Sequence, residues 1–335
     1  MKLLTIVIPV YKVEKYIRQC LDSVIVPQDQ KELLEVIVVN DGSPDNSAAI
    51  AREYEEKYPD IIKVIDKENG GHGSAWNVGL RLASGKYIRF LDSDDWLVNL
   101  SEFLSILESV DADMVITHLN KYQEETGDME TDRVLGVEYG RPYDVSIFPD
   151  IEIGNSYKYA LYNFWYCTYR TDMLRKEQPL FVERVSYDDA VLQLAPFILG
   201  NTMVFLDMPL YNYRLGREGQ SVAKDTMRKK IHDFIPVGRS LIKFADKYPD
   251  IDGIKKDQRD GMLSQWMKFR MGDASWLPYR EYRDFMSEWY PDIKEVRYIR
   301  KSPKMRIYQV LPTYISWCLF QLFNKYTSRN NRNDR

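Results

Sequence analysis

The run Asp92-Ser93-Asp94-Asp95 places three carboxylates within four residues. Like charges this close repel and raise one another's pKa unless a cation sits among them. A divalent ion would supply that cation, and hard oxygen ligands suit Mg2+ or Mn2+, which usually bridge to substrate phosphates. The apolar run Lys86-Tyr87-Ile88-Arg89-Phe90-Leu91 comes just before and reads as a buried strand. The carboxylates therefore stand where a strand leaves its sheet, and in an open α/β sheet that is where ligands bind. The alternative is a solvated turn in which Asp94 or Asp95 caps a helix over 100–110.

Three other strings carry compatible chemistry. Pro9-Val10-Tyr11 ends the first apolar run with an aromatic that could stack on a nucleobase or simply pack at the strand end. Asp41, in Asn40-Asp41-Gly42-Ser43, follows a second apolar run. Its carboxylate could accept bonds from a base or ribose, or belong to a plain turn. In Asn69-Gly70-Gly71-His72-Gly73-Ser74, the glycines would let the backbone approach a diphosphate at the start of a helix. No Gly-Lys-Ser/Thr follows, so it is not a Walker A loop. Tyr11-Lys12 in place of glycines after the first strand excludes a dinucleotide fingerprint. His72, one of three histidines, reads as a loop residue rather than a catalytic one.

The elements that must position these residues alternate in type. Strands are predicted over 5–10, 34–39, 61–65, 86–91 and 113–119, with short strands over 204–206 and 210–213. Helices are predicted over 13–24, 47–58, 74–83 and 190–199, and a polar turn or hairpin over 123–132. The segment 157–169 is dense in aromatics. From about residue 225 the pattern is helical, with breaks near Pro249, Pro278, Pro291 and Pro303. Strand–helix alternation predicts an α/β fold with a mostly parallel, doubly wound sheet, followed by a helical C-terminal extension.

Composition narrows the classes. The 335 residues, 44% hydrophobic and 29% charged, suit one large or two modest folded domains. A net charge of −4 lacks the basic footprint of a nucleic-acid binder. Cys20, Cys167 and Cys318 form neither a zinc spacing nor a disulfide framework, which points to a reducing, cytoplasmic compartment. The first nine residues lack a long apolar core and a cleavage site, so they read as a strand and not a signal peptide.

At this point the chain resembles a family 2 glycosyltransferase of the GT-A fold. The resemblance runs in order through residues 4–11, Val38–Ser43, Glu68–Gly71, Asn77–Leu80, Ala83–Ile88 and Phe90–Trp96, with a weaker extension to about residue 222. It implies a GT-A domain over 1–222, with a nucleotide-sugar half (1–98) and an acceptor half (99–222), followed by a helical region over 223–335. It implies that Tyr11 and Asp41 hold the uracil of a UDP-sugar. Pro9, Asn69, Gly70, Asn77 and Asp92 would line the donor site, and Asp92 and Asp94 would bind Mn2+ or Mg2+. It implies inversion, with Asp189 of Asp188-Asp189 as the base; helix capping by these two acids is the alternative. Ala75-Trp76-Asn77 departs from the Ala-Arg-Asn of many relatives, so Arg214 or Arg217 is expected to meet the phosphates instead. A sugar-phosphate nucleotidyltransferase is a second reading, but Tyr11-Lys12-Val13-Glu14 lacks the glycine-rich, basic loop it requires. A non-catalytic nucleotide-sugar-binding subunit is a third, against which the acid set argues.

The last segment is distinct in charge. Residues 294–335 hold ten Lys/Arg and two Asp/Glu, a net of +8, which leaves −12 for the rest. They flank the apolar stretch 310–323, too short to span a bilayer. It reads either as a helix lying on an anionic membrane surface, with Tyr314 and Trp317 at the interface, or as one docked on the protein's own core. Membrane contact would place the protein at the inner face of the cell membrane. It would also favour a polyprenyl-linked saccharide acceptor, as in assembly of surface polysaccharides such as capsule.

Overall fold

The computed structural model describes residues 2–145, 152–153, 164–217, 220, 224–251, 253–274, 277–295, 314–315, 317–319 and 321. The chain divides into two compact units, Met1–Glu218 and Gly219–Arg335.

The first unit begins with strict alternation: β1 (Leu4–Val10), α1 (Ile17–Asp22), β2 (Leu34–Asn40), α2 (Ser47–Lys57), β3 (Ile62–Asp66), α3 (His72–Leu82) and β4 (Tyr87–Phe90). Every residue of β1 and β4 is buried, as expected for apolar strands covered on both faces. Then come β5 (Trp96–Leu97), α4 (Leu100–Leu107), β6 (Met114–Gln123), β7 (Met129–Asp132), β8 (Val134–Leu135), β9 (Pro142–Asp144) and β10 (Glu152–Ile153). The unit closes with β11 (Cys167–Arg170), α5 (Thr171–Leu174), α6 (Val191–Leu199) and β12 (Thr202–Leu215). The main sheet runs β3-β2-β1-β4-β11-β6-β12-β5. Its β3-β2-β1-β4 half is parallel, so the carboxyl ends of β1, β2 and β4 share one edge. Beyond β4 the pairing is mixed: β11 runs antiparallel to both neighbours, while β12 is parallel to β6.

Several boundaries differ from the sequence expectation. The two short strands over 204–213 are one strand, β12, whose register shifts on both sides of Pro209; proline cannot donate to the ladder. The first helix begins only at Ile17. Asp94 and Asp95 cap no helix: Trp96–Leu97 pairs with β12, and Asn99, at φ 56°, precedes α4.

The helix that carries the glycine loop is seated by one close approach. A Cβ on Gly79 of α3 would lie 2.1 Å from Val7 Cγ1 and 2.7 Å from Val7 Cγ2 of β1. Only glycine lets α3 settle this near the strand.

The second unit is helical: α7 (Lys224–Lys229), α8 (Phe234–Asp246), α9 (Gly253–Ala274) and α10 (Tyr279–Glu295). Helix α10 continues through Pro291, where a break was expected, while Pro303 lies outside the described residues. Trp266 and Trp289 meet edge to face at 6.1 Å beside Gly238. Trp317 donates from Nε1 to the Leu277 carbonyl at 3.2 Å, and Tyr279 packs against the rings of Tyr314 and Trp317.

Gly79→Ala should destabilise the protein by about 1–3 kcal/mol, the usual cost of overpacking, despite alanine's better helix propensity. Val7→Ala in the same chain should recover part of that loss. Urea denaturation of the single and double variants checks both outcomes.

Candidate active site

The acidic run lies just beyond β4. Asp92, Asp94 and Asp95 each offer a carboxylate oxygen within 4.8 Å of the others. Their surroundings divide them. Asp95 is buried, with Oδ2 accepting from the Tyr211 hydroxyl at 2.7 Å and Oδ1 from the Arg214 amide at 2.8 Å. Burial, with Asp94 and Asp92 beside it, holds its carboxyl well above the usual range. Asp94 is likewise pushed up by burial and by Asp92, against the pull of the Arg217 guanidinium paired with its Oδ2. Asp92 Oδ1 meets His72 Nε2 at 3.0 Å. Asp95 thus ties β12 to the loop, while Asp92 Oδ2 and Asp94 Oδ1 have no side-chain donor among the described residues. Two outward carboxylate oxygens suit Mg2+ or Mn2+, which take one or two carboxylates and leave other positions for phosphate and water.

The second strand end is organised by Asp41, 3% exposed. Its Oδ1 accepts from Lys67 Nζ at 2.6 Å and from the Gly70 amide at 2.8 Å; its Oδ2 accepts from the Gly71 amide at 2.8 Å. Asn69 Nδ2 donates to the Asp41 carbonyl. The loop amides that the sequence offered to a diphosphate are therefore turned onto Asp41. Gly71, at φ 86°, takes a backbone conformation that favours glycine. Pro9 is buried within β1, and the Tyr11 ring is 43% exposed with Lys12 Nζ over its face.

Two expected donor residues are placed otherwise. Asn77 uses both ends of its amide to clamp the 180–183 segment: Oδ1 accepts from the Leu180 and Phe181 amides, and Nδ2 donates to the Phe181 carbonyl and to Glu183. Arg214 is buried among Tyr16, Trp96 and Tyr122. Its guanidinium donates to the Asp94 carbonyl, Glu124 and Gln19. A side chain engaged on every nitrogen is a fixed post in the fold. Arg217, three residues on, is the arginine on a site carboxylate.

His72 is the residue that sequence reasoning underrated. It opens α3, with Nε2 on Asp92 and Nδ1 between the Asp188 oxygens at 3.2 and 3.1 Å. Burial opposes its charge, but Asp188 and Asp92 outweigh that and hold its pKa well above the ordinary histidine value. Asp188 is 3% exposed, whereas Asp189 beside it is half-buried. Both lie in a short 3-10 turn, Asp188–Ala190, entered through Tyr187 at φ 66°. The one available signal for His72 was its position between the glycines and the helix.

The imidazole rests on Trp76, with ring centroids 4.0 Å apart. Trp76 is fully buried and also meets Phe90, Phe164 and Phe181 at 4.6–5.1 Å. It forms a floor under the imidazole, at the position where the resemblance led one to expect arginine. Trp76→Ala should cost about 3–5 kcal/mol in urea denaturation. Trp76→Arg should cost no less, because it places a guanidinium among the rings of Phe90, Phe164 and Phe181.

Residues 5–170 match the model of glycosyl transferase family 2. GlyA of Streptococcus pneumoniae, a glycosyltransferase, is 34% identical over 237 residues, covering 69% of this chain and 33% of that protein. EpsJ of Bacillus subtilis, an uncharacterized glycosyltransferase, is 30% identical over 218 residues, covering 63% of this chain and 61% of its own. This chain therefore spans about a third of one relative and three-fifths of the other. The structure of S. aureus TarS 1-349 in complex with UDP-GlcNAc superposes with a TM-score of 0.65 at 22% identity, over 88% of this chain and 82% of that one. The sheet order, the matched residues and these relatives agree: the chain belongs to glycosyl transferase family 2 and has the GT-A fold.

Proposed function

We propose that the protein is a metal-dependent, inverting glycosyltransferase that moves a sugar from a UDP-sugar to a saccharide acceptor, lipid-linked, in cell-surface polysaccharide synthesis at the cytoplasmic face of the membrane. The observation that carries this reading is the meeting of Asp92, with Asp94 beside it, and Asp188 of the Asp188–Asp189 turn through one imidazole. A leaving diphosphate and an attacking hydroxyl need acids of those two kinds side by side.

The exposed Tyr11 ring would stack on uracil. Asp41 Oδ2, with one amide donor in place, keeps a lone pair for a base N–H. Asn69 and Gly70 hold that loop beside the base, and buried Pro9 shapes the wall behind it. Asp92 and Asp94 would hold the ion, which when bound offsets the charge growing on the departing UDP. Arg217 adds a guanidinium at the same end. Asp189 takes the proton from the acceptor hydroxyl as its oxygen bonds to the anomeric carbon. The bond from that carbon to the phosphate oxygen breaks through an oxocarbenium-like state, and UDP leaves with inversion. UDP-N-acetylglucosamine is the first donor to try, since TarS was solved with it. In this reading 1–98 serve the donor, 99–222 the acceptor, and 223–335 form the helical region that brings the enzyme to its lipid-linked substrate. Tyr314, Ile315 and Leu319 are 55%, 43% and 40% exposed, which supports peripheral membrane contact within 294–335.

Calorimetric titration with UDP should show binding that depends on Mn2+ and weakens at least about tenfold in Asp94→Ala. Asp189→Asn should keep that binding and lower turnover by about 100- to 10,000-fold. Unchanged turnover would remove Asp189 as the base, and no UDP binding with Mn2+ would remove the donor reading.

Sedimentation with vesicles tests the tail. The full chain should pellet with anionic phosphatidylglycerol vesicles and not with phosphatidylcholine alone. Ile315→Asp with Leu319→Asp should release it.

A further inference from the structure

We infer that His72 is a positioning residue that joins the donor-side carboxylate Asp92 to the Asp188–Asp189 turn, so that the two ends of the site are held in one geometry. The inference rests on the donor and base roles proposed above and adds the device that couples them.

The geometry is that of a bridge. Asp92 follows β4 and Asp188 precedes α6, and their carboxylates reach the same five-membered ring from opposite sides at 3.0–3.2 Å. Each ring nitrogen stands within hydrogen-bond reach of one of the two carboxylates, so a single side chain spans both. The ring has little freedom to leave: its face lies on Trp76 and its backbone opens α3 just after Gly71. Gly73 permits the crossing, since a Cβ there would stand 2.5 Å from the Val182 carbonyl and 2.8 Å from Asp188 Oδ2.

The ring is placed for its two carboxylate partners, one at each nitrogen. Asp188, buried and with both oxygens within reach of Nδ1, needs such a partner. Asp92 is in turn oriented by His72 on Oδ1, with Oδ2 left for the ion. A bond of this kind behind a metal-binding carboxylate commonly sets affinity by tenfold or more.

The experiment is a double-mutant cycle on nucleotide binding, independent of any acceptor. Calorimetry with UDP and Mn2+ is run on the full chain, on His72→Ala, on Asp188→Asn and on the double variant, with circular dichroism and thermal unfolding as controls of fold. Asp188→Asn alters a residue outside the donor site, yet it should weaken Mn2+-dependent UDP binding several-fold through His72. His72→Ala should weaken it about tenfold. In the His72→Ala background the Asp188 substitution should have no further effect, because the path between the two is gone. His72→Gln and His72→Asn, each able to reach only one carboxylate, should also lose the coupling, and they replace His72→Ala if that variant fails to fold. Equal effects of Asp188→Asn in both backgrounds, or wild-type affinity in all the His72 variants, would overturn the inference and leave the donor reading in place. Failure of the unaltered chain to bind UDP with Mn2+ would overturn both.

Discussion

Everything in the first unit answers to the crowding of negative charge beyond β4. Three carboxylates within a few ångströms of one another would not persist in a buried setting without cations or donors. The protein supplies them from distant parts of the chain: His72 from the start of α3, Arg217 from beyond β12, and the Tyr211 hydroxyl and Arg214 amide from within β12. The acidic run therefore draws together the glycine loop, the turn before α6 and the last strand of the sheet. Tyr211 shows how tightly: its oxygen accepts from the Asp92 amide and donates to Asp95.

Helix α3 is the element through which these demands reach the core. Its first residue carries the bridging imidazole, its fifth supplies the indole floor, and its sixth clamps 180–183. Its eighth, Gly79, fits against Val7 of β1. A shift of the helix by the width of a methyl group would move all of these at once. Close packing at Gly79 and hydrogen bonding at His72 are thus two ends of one rigid body, and interiors packed at crystal-like density transmit such shifts rather than absorb them.

Much of this was legible in the sequence because local rules decide it. Unbroken apolar runs give β1, β2 and β4, and the parallel half of the sheet follows from the strand–helix alternation. The run Asp92-Ser93-Asp94-Asp95 marks a candidate cation site because chemistry and position coincide there. What was not legible depends on long sequence separations, 104 residues for Asn77 and Phe181, 116 for His72 and Asp188 and 195 for Arg214 and Gln19. The pairing of His72 with Asp188, 116 residues apart, has no local trace. Arg214 and Arg217 are equivalent as residue types; Arg214 lies over Trp96 and Tyr122 and donates to the Asp94 carbonyl, while Arg217 pairs with the Asp94 carboxylate. Asn77 sits in a matched motif, yet its amide is satisfied by a segment about 104 residues away. The merging of two expected short strands into β12 has the same origin, since it takes the neighbouring β6 to carry the chain past Pro209.

The two acids opening the turn before α6 illustrate how burial assigns roles that sequence leaves equal. A general base must present an oxygen to the acceptor hydroxyl within hydrogen-bond reach, and it must be basic enough to take the proton. Asp188 lacks the first property: it is 3% exposed, and both its oxygens lie close to Nδ1 of His72. Asp189 is half-buried in the same turn, which the chain enters through a left-handed backbone at Tyr187. In the reading proposed above, one acid serves the frame and the next the chemistry. Tyr187 enters that turn at φ 66°, and a backbone conformation that costs free energy persists only where the surrounding contacts fix it.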